Sequence, residues 1–261
     1  MDLGKKISFI IMASLILSTA CMSKTGKDSA KTEKKEKAPN SLVSVGEGID
    51  EMLSLTVDMD KILKLSQSEL QVEMGGEKKQ NKALNKDEEI TKRWNEMDTK
   101  VEKIHKDWNS YEVEGVKKGG GSEKGKTLKD NLNLFTIALE NRNIMEIMDT
   151  GSRVENSLAP FFNLYKDEIR GDLAKIKYVA YQSYLKAEKD EAPSASKLLD
   201  STEDNVSRIR QKLDKDKEKI RGVDKLGLSI GDMKQSLGQN SLKLLAIKRD
   251  IILENIKTLE K

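Results

Sequence analysis

The residue with the clearest chemistry is Cys21, the single cysteine of the chain, which follows a short apolar segment. A basic start at Lys5-Lys6 precedes an apolar run over 7–17, and the three residues 18–20 are small. This order is typical of a secretory signal peptide that ends at a lipidation site. We therefore predict a signal peptide over 1–20 and a diacylglycerol thioether with an N-acyl chain on Cys21, which would anchor the protein in a lipid bilayer.

Two other interpretations of this segment are weaker. Ser18 stands where the usual bacterial lipoprotein signal has leucine, and Leu17 lies one place further out. A membrane-spanning helix needs roughly 20 apolar residues, which is more than the run over 7–17 supplies. An ordinary cleaved signal would leave Cys21 unpaired in an exported protein, because the chain has no second cysteine for a disulfide.

A second segment matches a phosphate-binding motif. Gly120 to Thr127 is GGSEKGKT, which fits the P-loop pattern G-x-x-x-x-G-K-[ST]. A P-loop follows a buried strand, whereas residues 111–118 are YEVEGVKK, and no apolar run ending in aspartate could hold a magnesium ion. Five glycines between Gly115 and Gly125 favour backbone freedom instead. The sequence predicts a mobile loop here, with no nucleotide bound.

The remaining candidates for catalysis or metal binding are isolated. His105 is the single histidine, and zinc sites typically use several histidine or cysteine ligands. The chain has no G-x-S-x-G nucleophile elbow and no calcium loop of EF-hand spacing. Carboxylates lie among lysines, as at 87–89 and 214–219, which is typical of solvated helix faces. We predict that His105 is a surface residue and that the protein is not an enzyme and has no catalytic, cofactor or metal site.

The charge distribution argues against a nucleic-acid partner. The 47 basic and 44 acidic residues give a net charge of +3 and are interspersed, whereas nucleic-acid binding needs a clustered basic face. Basic residues are denser over 208–221 and 243–261, although acidic residues offset many of them in the first of these segments. A salt-bridged face is the default interpretation, and contact with an acidic partner stays an alternative.

The residues after Cys21 divide into a charged segment and a helical body. After Cys21, the residues up to 40 are dense in charge and nearly free of apolar side chains, so we predict a flexible tether over 21–40. From 41 to 261 apolar residues recur at helical spacing, and no useful segment alternates with period two. The sequence predicts an all-α, elongated multi-helix bundle over 41–261.

The clearest helical stripe carries both tryptophans. Its apolar residues are separated by alternating steps of four and three, with lysine and glutamate between them. The stripe consists of Ile90, Trp94, Met97, Val101, Ile104, Trp108 and Tyr111. We predict that Trp94 and Trp108 belong to the bundle core and do not contact a ligand.

Glycines, prolines and capping residues set the other predicted boundaries. We expect a first helix ending at Gly75-Gly76, a third beginning at Thr127, and a fourth capped by Ser152 and Glu155 and kinked or begun near Pro160. A fifth helix should begin at Ser194 or Ser196 and end at 221, followed by a linker over 222–231 and a last helix capped by Asp232.

Three features of the chain carry a family resemblance: the basic start and apolar run up to Cys21, the lysine-rich segment to Asn40, and a helical body rich in Lys, Glu, Leu, Ile and Asn. Together they resemble the plasmid-encoded outer-surface lipoproteins of Borrelia spirochaetes. The resemblance implies a lipid anchor in the bacterial outer membrane, display at the cell surface and non-enzymatic binding of a host protein. That ligand would be a complement component or regulator, or an extracellular-matrix protein. A structural envelope lipoprotein with bacterial partners is the alternative. No binding residue can be carried over, because no motif aligns.

Overall fold

The computed structural model describes residues 36–64, 86–166 and 168–261, and all regular secondary structure in this part is helical. The helices are α1 (Asn40–Lys64), α2 (Lys86–Gly115), α3 (Ser122–Glu140), α4 (Ile144–Phe162), α5 (Arg170–Glu188), α6 (Ala192–Asp200), α7 (Glu203–Lys212), α8 (Lys217–Ser236) and α9 (Leu242–Glu260), with a π-helical turn over Val116–Gly120 and a 3-10 turn over Leu237–Gln239. The all-α multi-helix prediction is confirmed.

Helix α1 lies between α2 and α4 and contacts both. Its buried side chains recur every three or four residues along the helix. One side of α1 therefore packs against α2 and another against α4. A Cβ atom at Gly48 would lie 2.7 Å from the Ile104 side chain of α2, and one at Gly46 would lie 3.3 Å from Phe162 of α4. Because both residues are glycines, the α1 backbone approaches its two neighbours closely.

Helix α5 is the central helix of the second half of the bundle. It packs against α4, α6, α7 and α9, and most of its side chains are buried, including the polar Asp172, Lys177 and Gln182. A helix buried on nearly all sides shows little amphipathic pattern. The polar residues of α5 must therefore find partners inside the protein.

The segment predicted to be a loop over 115–125 is mostly helical, so the prediction of a continuous loop is wrong. The break between α2 and α3 lies at Gly119 and Gly121, whose φ values of 111° and 79° are outside the helical range. A Cβ atom at Gly120 would lie 2.5 Å from the Phe161 ring. Position 120 is therefore occupied by glycine because its backbone packs closely against Phe161, and not because it needs unusual backbone freedom. Thr127, the predicted helix start, lies inside α3.

The boundary between α3 and α4 also differs from the prediction. Asn143 caps α4 by accepting hydrogen bonds from the backbone amides of Met145 and Glu146. Ser152 and Glu155, predicted as a capping box, are buried in the middle of α4. The Ser152 hydroxyl donates to the carbonyl of Asp149 at 2.9 Å, as hydroxyls inside helices commonly do.

Pro160 does not start a helix but lies in the last turn of α4, which ends at Phe162. The continuous pattern predicted beyond it is interrupted before α5 begins at Arg170. The Glu168 carboxylate accepts from the amides of Ile169 and Arg170 at 3.0 and 3.1 Å. These bonds satisfy amide groups that a helix start leaves without partners.

The C-terminal third contains more helices than predicted. The helix expected over 194–221 is divided among α6, α7 and α8, and the linker expected over 222–231 lies inside α8. Asp232 does not begin the last helix; Ser241 caps α9 and accepts from the amide of Leu244. The predicted helix end at Gly75-Gly76 lies outside the described residues.

Candidate functional site

Cys21 and most of the predicted tether lie outside the described residues, and the prediction of lipidation stays a prediction. The last tether residues that the structure describes contact the helical body. The Lys118 ammonium donates to the Glu36 carboxylate at 2.5 Å, and Ala38 packs against the core. No helix within 36–64, 86–166 and 168–261 is long and apolar enough to cross a bilayer.

The residues that match the P-loop pattern do not form a phosphate cradle. The amide of Gly125 donates to the carbonyl of Gly121 at 3.3 Å, and the Thr127 hydroxyl donates to the carbonyl of Glu123 at 3.1 Å. Lys126 forms an exposed ion pair with Asp130 one turn away. A phosphate cradle needs several backbone amides that point into a loop, whereas these lie in a helix. The absence of nucleotide binding stays a prediction.

His105 is half-buried between α2 and α3 and is not a solvated surface residue as predicted. Its Nε2 atom lies 2.9 Å from the Thr136 hydroxyl, which donates its own proton to the carbonyl of Leu132. Nε2–H must therefore donate to Thr136. Burial lowers the pKa of His105, so the ring is a neutral link between two helices.

The two tryptophans have different environments. Trp108 is 2 % exposed and packs edge-on against Phe161, with ring centroids 5.0 Å apart, and against Tyr111 at 5.8 Å. The core prediction is confirmed for Trp108. Trp94 is half-buried beneath the Arg142 guanidinium at 4.7 Å, and lies at the edge of the core.

A buried group of charges joins four helices, and the sequence analysis missed it. The Lys177 ammonium of α5 donates to Asp50 of α1 at 2.5 Å and to Glu260 of α9 at 2.8 Å. Glu155 of α4 is 1 % exposed, and its Oε1 atom has no hydrogen-bond partner. We call Asp50, Glu155, Lys177 and Glu260 the Lys177 cluster.

Burial and neighbouring charges shift the pKa values of this cluster. Burial raises the pKa of Glu155 well above its ordinary value, and the charge of Asp50 raises it further. Burial also raises the pKa of Asp50 to about 6, although Lys177 opposes this shift. Burial alone would lower the pKa of Lys177, but the surrounding carboxylates raise it, so the ammonium stays charged.

Arg249 is a second buried charge on α9. Its guanidinium lies 4.6 Å from the ring centre of Tyr184 and 5.6 Å from that of Tyr181, both on α5. It donates to the Asp250 carboxylate at 2.7 and 2.9 Å. Cation–π contacts of this kind are stronger when the cation is desolvated. Arg249 and the Lys177 cluster together attach α9 to the centre of the bundle.

The basic segment over 208–221 is largely ion-paired within the protein. Asp172 of α5 is 1 % exposed and lies 2.8 Å from Arg208 and 3.5 Å from Lys212, with Asn205 as a further donor. Arg210 pairs with Asp224 of α8. These contacts attach α7 to α5 and α8 and agree with the interpretation of this segment as a salt-bridged face.

Several of the exposed apolar side chains among the described residues lie on α3, α8 and α9. We call Leu134 and Ile137 of α3 the α3 patch, and Leu228 of α8 with Ile247 and Ile251 of α9 the α8–α9 ridge. These five side chains are 43–72 % exposed. Helices α8 and α9 are antiparallel neighbours, since Asn255 bonds Ser229 and Lys248 pairs with Asp232.

The concave features of the surface are slight. Two depressions are each lined by residues of a single helical stretch, Asp87, Glu88, Thr91, Lys92 and Asn95 in one and Ser110, Val113, Glu114, Lys117 and Lys118 in the other. Both are therefore open furrows along one helix, whereas small-molecule sites are usually enclosed clefts. In the described part of the chain, no group of three or more His, Cys, Asp or Glu residues is arranged to hold a metal ion.

Comparisons with models of protein families, with curated proteins and with solved structures find no match. Any conclusion about function therefore rests on the chemistry of this chain alone.

Proposed function

We propose that this protein is a lipoprotein of the bacterial outer membrane, anchored through acylated Cys21 and displayed at the cell surface, where it binds a host protein without catalysis. The ligand would be a complement component or regulator, or an extracellular-matrix protein, and binding would serve immune evasion or adhesion. The observation that carries this proposal is the order of segments: an apolar signal, a lone cysteine, a charge-dense stretch and a helical body.

The surface of the helical body supports the proposal. Apolar side chains in contact with water favour association with another protein when they are contiguous. The α3 patch has two such residues three positions apart, and the α8–α9 ridge has Ile247 and Ile251 four positions apart, so each pair lies on one helix face. Neither feature lines one of the two depressions described above, and small-molecule sites are usually enclosed clefts, so a protein ligand suits these side chains better.

Replacing Cys21 with alanine should move the protein from the detergent phase to the aqueous phase in a detergent-partitioning experiment, because the acyl chains would be lost. A Ser23→Ala variant, changed two positions away, should stay in the detergent phase. Unchanged partitioning of Cys21→Ala would contradict the anchor. Loss of the protein after mild protease treatment of intact cells tests surface display separately.

The soluble chain 22–261, immobilised and exposed to serum and to matrix proteins, should retain one host protein. Two double variants, Leu134→Glu/Ile137→Glu and Leu228→Glu/Ile251→Glu, should fold normally because the changed side chains are exposed. We expect one of them to weaken ligand binding at least about tenfold, since a charge buried in an apolar contact is costly, while the other serves as its control.

Retention of an envelope protein from a bacterial extract, with no serum or matrix protein bound, would contradict host binding and favour the structural alternative. Binding that survives both double variants would place the contact on another face.

A further inference from the structure

Glu155 is the most deeply buried carboxylate of the Lys177 cluster and the one without a direct donor. Both hydrogen bonds of the Lys177 ammonium go to Asp50 and Glu260. The Oε1 atom of Glu155 is shielded from solvent and has no hydrogen-bond partner. A buried carboxylate in this position pays a desolvation cost that no hydrogen bond to Oε1 offsets.

The charges around Glu155 do not favour its ionised form. Three carboxylates share one ammonium, so the Lys177 cluster would carry a net charge of −2 if every member were ionised. The side chain of Asp50 is 33 % exposed and that of Glu260 is 20 % exposed, so water screens both. Glu155 has no such access to water, and neutralisation by a proton is the lower-energy state.

We propose that Glu155 is a proton-binding site at the junction of α1, α4, α5 and α9, which keeps its proton in the folded bundle at pH values where an exposed glutamate is ionised and loses it as the pH rises further. The proton comes from solvent, forms an O–H bond on the Glu155 carboxyl and returns to solvent when the site ionises. Protonation of Glu155 therefore stabilises the folded bundle as the pH falls.

The direction of the effect follows from linkage between protonation and folding. Burial raises the pKa of Glu155 in the folded protein above its ordinary value of 4.5. The stabilisation is fully present below pH 4.5 and is lost as the pH rises through the folded-state value. An exposed ion-paired carboxylate such as Glu191 behaves in the opposite way, because the hydrogen bond from Lys186 lowers its pKa.

The other groups that face this site do not reverse that direction. Helix α1 contributes Asp50 and the more distant Glu47, α5 contributes Lys177 and Tyr181, and α9 contributes Arg249 and Glu260. Burial raises the pKa of Tyr181, which keeps its proton. Asp50, whose pKa is also raised, adds to proton uptake in the same direction.

The test compares full chains with Glu155 and with Glu155→Gln, a neutral side chain of nearly the same shape, by denaturant unfolding between pH 5.5 and 8.5. Relative to Glu155→Gln, the folding equilibrium constant of the natural chain should fall as the pH rises, by up to about tenfold per pH unit. Glu254→Gln on the exposed face of α9 is the control and should keep the natural slope. Parallel profiles for the natural chain and Glu155→Gln would overturn the proposal.

A second measurement uses the natural chain, so it does not depend on whether a variant folds. The side-chain carboxyl carbon of Glu155, labelled with ¹³C in the natural chain, should titrate in NMR spectra with a midpoint well above the ordinary glutamate value, because burial disfavours the ionised carboxylate. A midpoint at the ordinary glutamate value would overturn the proposal.

Discussion

Replacing Trp108 with alanine should lower the free energy of unfolding by about 3–5 kcal/mol, the usual cost of removing a large buried side chain. Trp108 fills the space between Tyr111 and Phe161, with ring centroids 5.8 and 5.0 Å away. Removing its indole ring would leave a cavity that the surrounding helices cannot fully close. Thermal unfolding should shift downward by on the order of 10 °C.

Two further variants separate packing from other contributions. Trp108→Phe should cost much less, because it keeps a ring in place and removes an indole N–H that has no buried acceptor. Trp94→Ala should cost roughly 1 kcal/mol, since Trp94 is half-buried and its cation–π contact with Arg142 is near the surface. A Trp108→Ala variant of natural stability that has lost ligand binding would make Trp108 a contact residue instead.

Replacing Lys177 with methionine should also lower the free energy of unfolding by about 3–5 kcal/mol at pH 8, because it removes the ammonium from a buried ion pair and leaves carboxylates without it. Methionine keeps an apolar stem of similar length, so the packing around position 177 changes little. The loss of unfolding free energy therefore reflects mainly the removal of the charge. The loss should shrink at pH 5.5, where Asp50 and Glu155 are closer to neutral.

Lys100→Met is the matched control, because Lys100 pairs at 2.7 Å with Glu51, the neighbour of Asp50 on α1. That pair is exposed, and exposed ion pairs contribute below about 1 kcal/mol. Denaturant unfolding at the two pH values measures both variants. Equal losses for Lys177→Met and Lys100→Met would show that burial does not strengthen the Lys177 pairs.

The sequence predicted helix α2 well and the helix boundaries poorly, for one physical reason. The stripe of α2 alternates cleanly because its other face meets water, so the apolar positions report the buried side directly. Gly222 looked like a break, yet it lies inside α8, with Leu259 occupying the space of the missing side chain. A glycine that permits close packing cannot be told from a glycine that ends a helix unless its neighbour is known.

What the sequence by itself determined is local: an all-α body and a stripe that buries Trp108, while the lipid anchor at Cys21 stays a prediction. Each depends on residues that are close together along the chain. Only the tertiary structure brought together Asp50 and Lys177, which are 127 positions apart, and Lys177 and Glu260, which are 83 apart. Each of these residues resembles any charged residue of a solvated helix in sequence. Packing of four helices buries Lys177 and Glu155, and from this desolvation we infer that Glu155 holds a proton and that Lys177 contributes strongly to stability.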